Sequence, residues 1–134
     1  MKVFFTYVAF SVLCLNSVVG QEKSASEKKL SKPPKVLYGT ASYYADKFEG
    51  RETANGEIFR QKKMTAACNV LPLGTWIRVT NLRTGRSVIV KTNDHLHYRM
   101  KRVVDLSKGA AQKIGLLDGL AKVKVEVLGR KKPF

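Results

Sequence analysis

Short runs of β-branched residues, separated by turn residues, fill the chain between about Val36 and Leu128. In the most regular run, Val123, Val125 and Val127 alternate with charged residues. Strict alternation places the apolar side chains on one face, so this segment predicts a strand with one buried face. Roughly five or six such strands in about ninety residues predict a mainly β fold, and specifically a small closed barrel.

Two turn signals join predicted strands. The runs at 76–80 and 87–92 are rich in β-branched residues and flank a polar segment that contains Gly85, which predicts a hairpin. The dipeptide Asn55-Gly56 is a second turn signal, because Gly tolerates the positive φ that tight turns require. The fold therefore has at least two sharp reversals ahead of its C-terminal strand.

One or two short helices accompany the strands. The clearest contains Ala110 and Ala111, which favour helix formation. Either Asp105 or Ser107 can cap its N-terminus, and Gly115 is placed to end it.

The N-terminal residues 1–20 have the pattern of a secretory signal peptide. Lys2 is followed by an apolar stretch over 3–19 that polar residues interrupt. The stretch is shorter than the ~20 apolar residues of a membrane-spanning helix, and Leu13 before Cys14 is too large for a lipoprotein site. We therefore expect an exported protein, periplasmic or secreted, without stable membrane insertion once the signal is cleaved.

The rest of the chain divides into three parts. Residues 21–36 hold five lysines, three serines and two consecutive prolines, which predicts a basic flexible linker. Residues 37–128 form the predicted barrel domain, and 129–134 form a short basic tail. At 44% hydrophobic residues, the 134-residue chain can build one packed core. Its length and two cysteines exclude a multidomain enzyme and a disulfide-dense scaffold.

The charge is strongly basic, with 25 Lys and Arg against 10 Asp and Glu. Removing residues 1–20 takes away Lys2 and no acid, so 24 basic residues remain and the net charge becomes +14. Such a charge suits an acidic polymer, or it keeps a small protein soluble. No nucleic-acid motif accompanies it, so we expect no nucleic-acid partner.

Seven motifs in order resemble the RlpA-like lytic transglycosylase family of the bacterial envelope, whose domain is a six-stranded double-psi β-barrel. The motifs are GTASYY at 39–44, TANGE at 53–57, LPLGT at 71–75, VTNL at 79–82, GRSV at 85–88, ND at 93–94 and VDLS at 104–107. The resemblance implies a monomer that acts on peptidoglycan glycan strands without a cofactor. The implied reaction cleaves the bond between N-acetylmuramic acid and N-acetylglucosamine and leaves a 1,6-anhydro end.

The resemblance also implies roles for particular residues. Asp94 corresponds to the family's catalytic acid/base, Asp105 to a second acid in the groove, and Glu57 to a Glu that supports activity, so all three are expected to be catalytic residues of one groove. Taken alone, Asp94 and Glu57 are ordinary turn residues, and Asp105 is equally suited to begin a helix. The residues expected to contact substrate are Thr53, Asn55, Cys68, His95 and His97.

Two departures from the family pattern fall near Asp94. Cys68 stands where the family has a histidine, and His95-Leu96-His97-Tyr98 replaces Arg-Gly-Pro-Phe. We hypothesise that His95 or His97 folds back to replace the missing imidazole, in which case replacing both with Ala abolishes activity.

Two alternatives to this catalytic assignment follow from the same residues. Cys68, Asp94, His95 and His97 have zinc-ligand chemistry, but their spacing matches no known metal motif, so we expect no metal. The exchange at Cys68 also favours a second class of function. This is a non-catalytic wall-binding module, or an expansin-like module that loosens the wall without cutting it.

Overall fold

A computed structural model describes residues 35–134, and the predicted signal peptide and most of the predicted linker lie outside these residues. The elements are β1 Val36–Tyr43, a 3₁₀ turn at Asp46–Phe48, β2 Thr65–Ala67, β3 Trp76–Asn81, β4 Ser87–Asp94, β5 Val104–Leu106, α1 Lys108–Lys113 and β6 Ala121–Gly129. Within this part of the chain, no helix has the length and apolar character needed to span a membrane.

The six strands close into a barrel in the order β1-β5-β2-β4-β3-β6. Strands β1 and β5 pair in parallel, as do β2 and β4, whereas the other four pairs are antiparallel. Parallel neighbours cannot be joined by a tight turn, so the chain crosses the barrel between them. The prediction of a small, mainly β, six-stranded barrel is confirmed.

The core lies inside the barrel and is almost entirely aliphatic. Val123 and Val125 on β6 are fully buried, as their alternation predicts, and Val127 packs against the same cluster. They meet Ile77 and Val79 of β3, which are also fully buried. Each buried aliphatic side chain stabilises the fold by roughly 1.5–3 kcal/mol, so the barrel is stable without a disulfide.

The predicted hairpin is the β3–β4 pair, with Thr80 opposite Ser87 and Trp76 opposite Lys91. Gly85 has φ +76° in the connecting turn, a conformation that favours glycine. Asn81, fully buried where β3 ends, donates from its amide to the Ile114 carbonyl at 2.9 Å. This bond ties the hairpin to the end of α1.

Helix α1 begins where the sequence places it, and Ser107 is the capping residue. The Ser107 hydroxyl accepts a hydrogen bond from the Ala110 N–H at 3.3 Å, and Gly115 has φ +75° just beyond the last turn. Asp105, the other candidate cap, lies within β5 instead. Its carboxylate is therefore available for the site described next.

Candidate active site

An open groove of about 480 Å³ is lined by strand ends and by the loop after β4. It contains two carboxylates, Asp94 and Asp105, which both lie opposite Ala67 from the strands on either side of β2. Two strand spacings of about 4.8 Å therefore separate their backbones. The remaining lining residues are Tyr43, Tyr44, Ala45, Lys47, Phe48, His95, Leu96, His97, Met100 and Arg102.

A β-bulge at the end of β4 directs Asp94 into this groove. The side chains of Val88, Val90 and Thr92 alternate into the interior. If this alternation continued unbroken, the side chain of Asp94 would also face inward. The pairing register between β2 and β4 instead shifts, so that Ala66 faces Thr92 and Ala67 faces Asp94. Asn93 is the extra residue, itself 2% exposed, and it moves Asp94 to the opposite face of the strand.

Three donors hold the Asp94 carboxylate. Oδ1 accepts the backbone N–H of Ala54 at 3.0 Å and that of His95 at 2.9 Å. Oδ2 accepts the hydroxyl of Tyr44 at 2.6 Å. A carboxylate offers about four lone-pair positions, so one position, on Oδ2, is left for a further partner.

Tyr44 follows β1 and is held on several sides. Its ring stacks on Phe59 with centroids 4.2 Å apart and meets Phe48 edge-on at 5.7 Å. Burial, and then the hydrogen bond to Asp94, raise the pKa of the Tyr44 phenol far above its ordinary value. The Tyr44 hydroxyl therefore keeps its proton at neutral pH and donates a hydrogen bond to Asp94.

Asp105 has a different partner from Asp94. Its two oxygens accept the Nε and Nη2 groups of Arg102 at 2.7 and 3.0 Å, a bidentate ion pair. The bonds to Asp105 raise the pKa of the Arg102 guanidinium. Asp105 thus lies in the predicted groove, but a cation already occupies both of its oxygens.

The turn at 53–57 forms a polar network beside the groove. The Thr53 hydroxyl donates to Asn55 Oδ1 at 2.7 Å, and the Asn55 amide donates to Glu57 Oε1 at 2.7 Å. The bond from Asn55, together with one from Asn93, lowers the pKa of Glu57. None of Thr53, Asn55 and Glu57 lines the groove itself, but the Ala54 N–H in this turn contacts Asp94.

Cys68 lies in the core rather than on the groove. Its side chain is fully buried, and burial raises the pKa of its thiol. A glycan in the groove therefore has no access to the sulfur, although substrate contact was expected from the sequence. The Cys68 backbone N–H donates to the Asp94 carbonyl at 3.1 Å, so this residue supports the main chain of the site.

The two histidines line the groove, but neither ring contacts the Asp94 carboxylate. His95 Nδ1 lies 3.4 Å from the Cys68 carbonyl oxygen, and the His97 ring stacks on Tyr98 with centroids 4.5 Å apart. Within residues 35–134, no three His, Cys, Asp or Glu side chains cluster as metal ligands. The contact with Asp94 that we hypothesised for the ring of His95 or His97 is made by the hydroxyl of Tyr44.

Two groove residues carry no role in the sequence argument. Tyr44 belongs to the GTASYY motif, but its partner Asp94 is 50 residues away, so spacing gives no sign of the contact. Arg102 is noticeable only as part of a basic cluster, although its position three residues before Asp105 could have indicated an ion pair.

Two curated proteins are similar to most of this chain. A probable endolytic peptidoglycan transglycosylase RlpA of a Nostoc species is 53% identical over 112 residues, which cover 81% of this chain and 29% of that protein. The endolytic peptidoglycan transglycosylase RlpA of Pseudomonas aeruginosa is 52% identical over 91 residues, 67% of this chain and 27% of its own length. The chain thus spans less than a third of the length of either relative.

A solved structure supports the fold. The apo expansin of Clavibacter michiganensis superposes with a TM-score of 0.59 at 18% identity, over 73% of this chain and 52% of the expansin chain. At this identity the likeness concerns the fold alone, a double-psi β-barrel as predicted. Residues 37–127, nearly the whole described barrel, match the family described as lytic transglycolase. The chain belongs to the lytic transglycolase family.

Proposed function

We propose that this chain is an exported lytic transglycosylase that cleaves peptidoglycan glycan strands, with Asp94 as its single acid/base. One observation carries the proposal. Of the two carboxylates that line the groove among residues 35–134, only Asp94 has no cationic partner. The names of the two relatives supply the substrate, peptidoglycan, and the type of reaction.

In the proposed reaction, Asp94 carries a proton on Oδ2 when substrate binds. The proton passes to the glycosidic oxygen as the bond from the muramyl anomeric carbon to that oxygen breaks. The muramyl 6-hydroxyl then forms a bond to the same carbon and returns its proton to Oδ2. Asp94 ends as it began, and the products are an N-acetylglucosamine end and a 1,6-anhydro-muramyl end.

The ion pair at Asp105 favours this route over hydrolysis. A hydrolase of the usual type needs a second free carboxylate as nucleophile or as base for water. Arg102 contacts both oxygens of Asp105, so that carboxylate is engaged in an ion pair rather than free to face the substrate. A reaction in which the substrate supplies its own hydroxyl nucleophile needs only Asp94.

The charge of the chain suits the proposed substrate. The stem peptides of peptidoglycan carry carboxylates, and Lys47 lines the groove beside the paired Arg102 and Asp105. With a net charge of +14 after loss of residues 1–20, the protein is drawn to an acidic wall. We further propose that residues 1–20 direct export to the periplasm or beyond, and that the barrel acts as a monomer.

The deciding experiment incubates the chain without residues 1–20, and its Asp94→Asn variant, with purified peptidoglycan. Released sugars are identified by mass spectrometry. Anhydromuramyl products from the unsubstituted chain but not from Asp94→Asn are expected, and Asp118→Asn, an exposed acid outside the groove, serves as the matched control. Reducing-end products instead would mean hydrolysis and overturn the proposed reaction.

A second function, a non-catalytic wall-binding or wall-loosening module, is favoured by one observation. No imidazole reaches Asp94, because Cys68 replaces the family's histidine and the rings of His95 and His97 have other neighbours. The same experiment separates the two functions. A chain that releases no sugar but sediments with the insoluble wall would be a binding module.

A further inference from the structure

The contact between Tyr44 and Asp94 joins two distant parts of the chain at the groove. Tyr44 Oη lies 2.6 Å from Asp94 Oδ2, a distance at the short end of the usual range for an O–H···O hydrogen bond. The other two donors to this carboxylate are backbone N–H groups, and both bind Oδ1. Tyr44 is thus the one side chain among residues 35–134 that fixes Oδ2.

The tyrosine itself has little freedom to move. Its backbone N–H donates to the Leu106 carbonyl at 2.9 Å, and its own carbonyl accepts the Gln61 amide at 2.9 Å. The ring lies between Phe59, against which it stacks, and the edge-on Phe48. Backbone and ring are therefore both fixed, so the hydroxyl has a defined position.

We propose that Tyr44 is a positioning residue that sets the rotation of the Asp94 carboxylate and so aims the free lone pair of Oδ2 into the groove. The torsion that rotates a carboxylate is broad and moves both oxygens together, so a donor on Oδ2 adds to the restraint that the two N–H bonds place on Oδ1. A third donor on Oδ2 restricts this rotation. In this chain the Tyr44 hydroxyl contacts the Asp94 carboxylate, whereas the buried Cys68 thiol does not.

The inference rests on the proposed function, and its first test is kinetic. Tyr44→Phe keeps the ring stack and removes only the hydroxyl. We expect kcat for anhydromuramyl release to fall about ten- to a hundredfold with KM changed little, the size expected for one hydrogen bond to a charged group. Tyr38→Phe, which alters an exposed tyrosine on β1, the strand before Tyr44, is the matched control. Wild-type kcat in Tyr44→Phe would overturn the proposal.

A second test does not depend on activity. Burial and the Asp94 carboxylate both raise the pKa of Tyr44, with a smaller contribution from Asp105. The other titratable or charged groups that line the groove are Tyr43, Lys47, His95, His97 and Arg102. In an alkaline titration followed by NMR of ring-labelled tyrosine, Tyr44 should therefore stay protonated well above pH 10, the ordinary pKa of a tyrosine. In Asp94→Asn the midpoint for Tyr44 should fall.

The two tests separate the possible failures. An inactive wild-type chain would overturn the proposed function, and the titration would still decide whether Tyr44 holds Asp94. Equal titration of Tyr44 in the wild type and in Asp94→Asn would overturn the positioning role, whatever the activity. Loss of activity in Tyr44→Phe together with unchanged far-ultraviolet circular dichroism and a lowered midpoint in Asp94→Asn would support it.

Discussion

Asp94 and Asp105 lie opposite the same residue, Ala67, from the strands on either side of β2, yet different chemistry holds them. Asp94 accepts three hydrogen bonds from neutral donors, whereas Asp105 accepts two from a guanidinium. The arginine engages both oxygens of Asp105 in an ion pair, whereas no cation contacts Asp94 among residues 35–134. Two residues of one type in one groove are thereby suited to different tasks.

The largest effect on activity is expected from replacing Asp94, the carboxylate that accepts its hydrogen bonds from neutral donors. Asp94→Asn keeps a side-chain oxygen for the two N–H donors but cannot carry the transferred proton. We expect product release to fall by about 10²–10⁴-fold, the usual contribution of a general acid/base. Initial rates on isolated glycan strands measure this. A loss below tenfold would mean that Asp94 is not the acid.

The second prediction concerns the ion pair. Asp105→Asn leaves Arg102 without its charged partner, so we expect a loss of about 2 kcal/mol in the free energy of unfolding, typical of bonds to a charged group. Activity should fall less than tenfold, because Asp105 transfers no proton in the proposed reaction. Urea denaturation and kinetics on the same samples test both parts. An activity loss as large as that of Asp94→Asn would erase the distinction between the two carboxylates.

The third prediction concerns the core beneath the site. Cys68→Ala removes one fully buried sulfur, for which we expect a loss of about 1 kcal/mol in stability and little change in activity. Because burial raises the pKa of the thiol, it should also resist thiol reagents in the folded protein. Labelling rates in native buffer and in urea, measured on a Cys14→Ser background, check this. Rapid labelling in native buffer would place the thiol on the groove.

The smallest effect concerns Glu57 and depends on pH. Hydrogen bonds from Asn55 and Asn93 lower its pKa below the ordinary 4.5, so the charged form stabilises the folded protein. This contribution is present above pH 4.5 and is lost as the pH falls through the lowered folded-state pKa. The stability difference between the wild type and Glu57→Gln should therefore shrink below pH 4.5 in urea denaturation. A difference that is constant from pH 3 to 7 would contradict this account.

The parts of the fold that depend on local pattern could be predicted from the sequence. The β3–β4 hairpin, β6 and α1 follow from alternation, a turn glycine and capping residues, and all three are confirmed. The three-residue strands β2 and β5 show no such pattern. They exist because β1 and β4 pair with them in parallel from far along the chain, and local propensity carries no information on such pairing.

The site could be predicted in part, for the same reason. The family motifs indicate Asp94, Glu57 and Asp105, but they do not say which carboxylate has a cationic partner. That depends on Arg102 and Tyr44, whose contacts are set by the three-dimensional fold. The position of Cys68 shows the converse. Cys68 is a candidate site residue because the family has a histidine at this position. It lies in the core instead, directly after β2, a strand that is buried along its whole length.

The bulge at Asn93 makes the site depend on a count of residues as well as on their identity. Inserting one residue between Thr92 and Asn93 would keep every groove side chain named above, yet the parity of β4 would change and Asp94 would turn toward the barrel interior. Such an insertion would therefore take the acid out of the groove without substituting any of its residues, a change that substitution scores alone do not register.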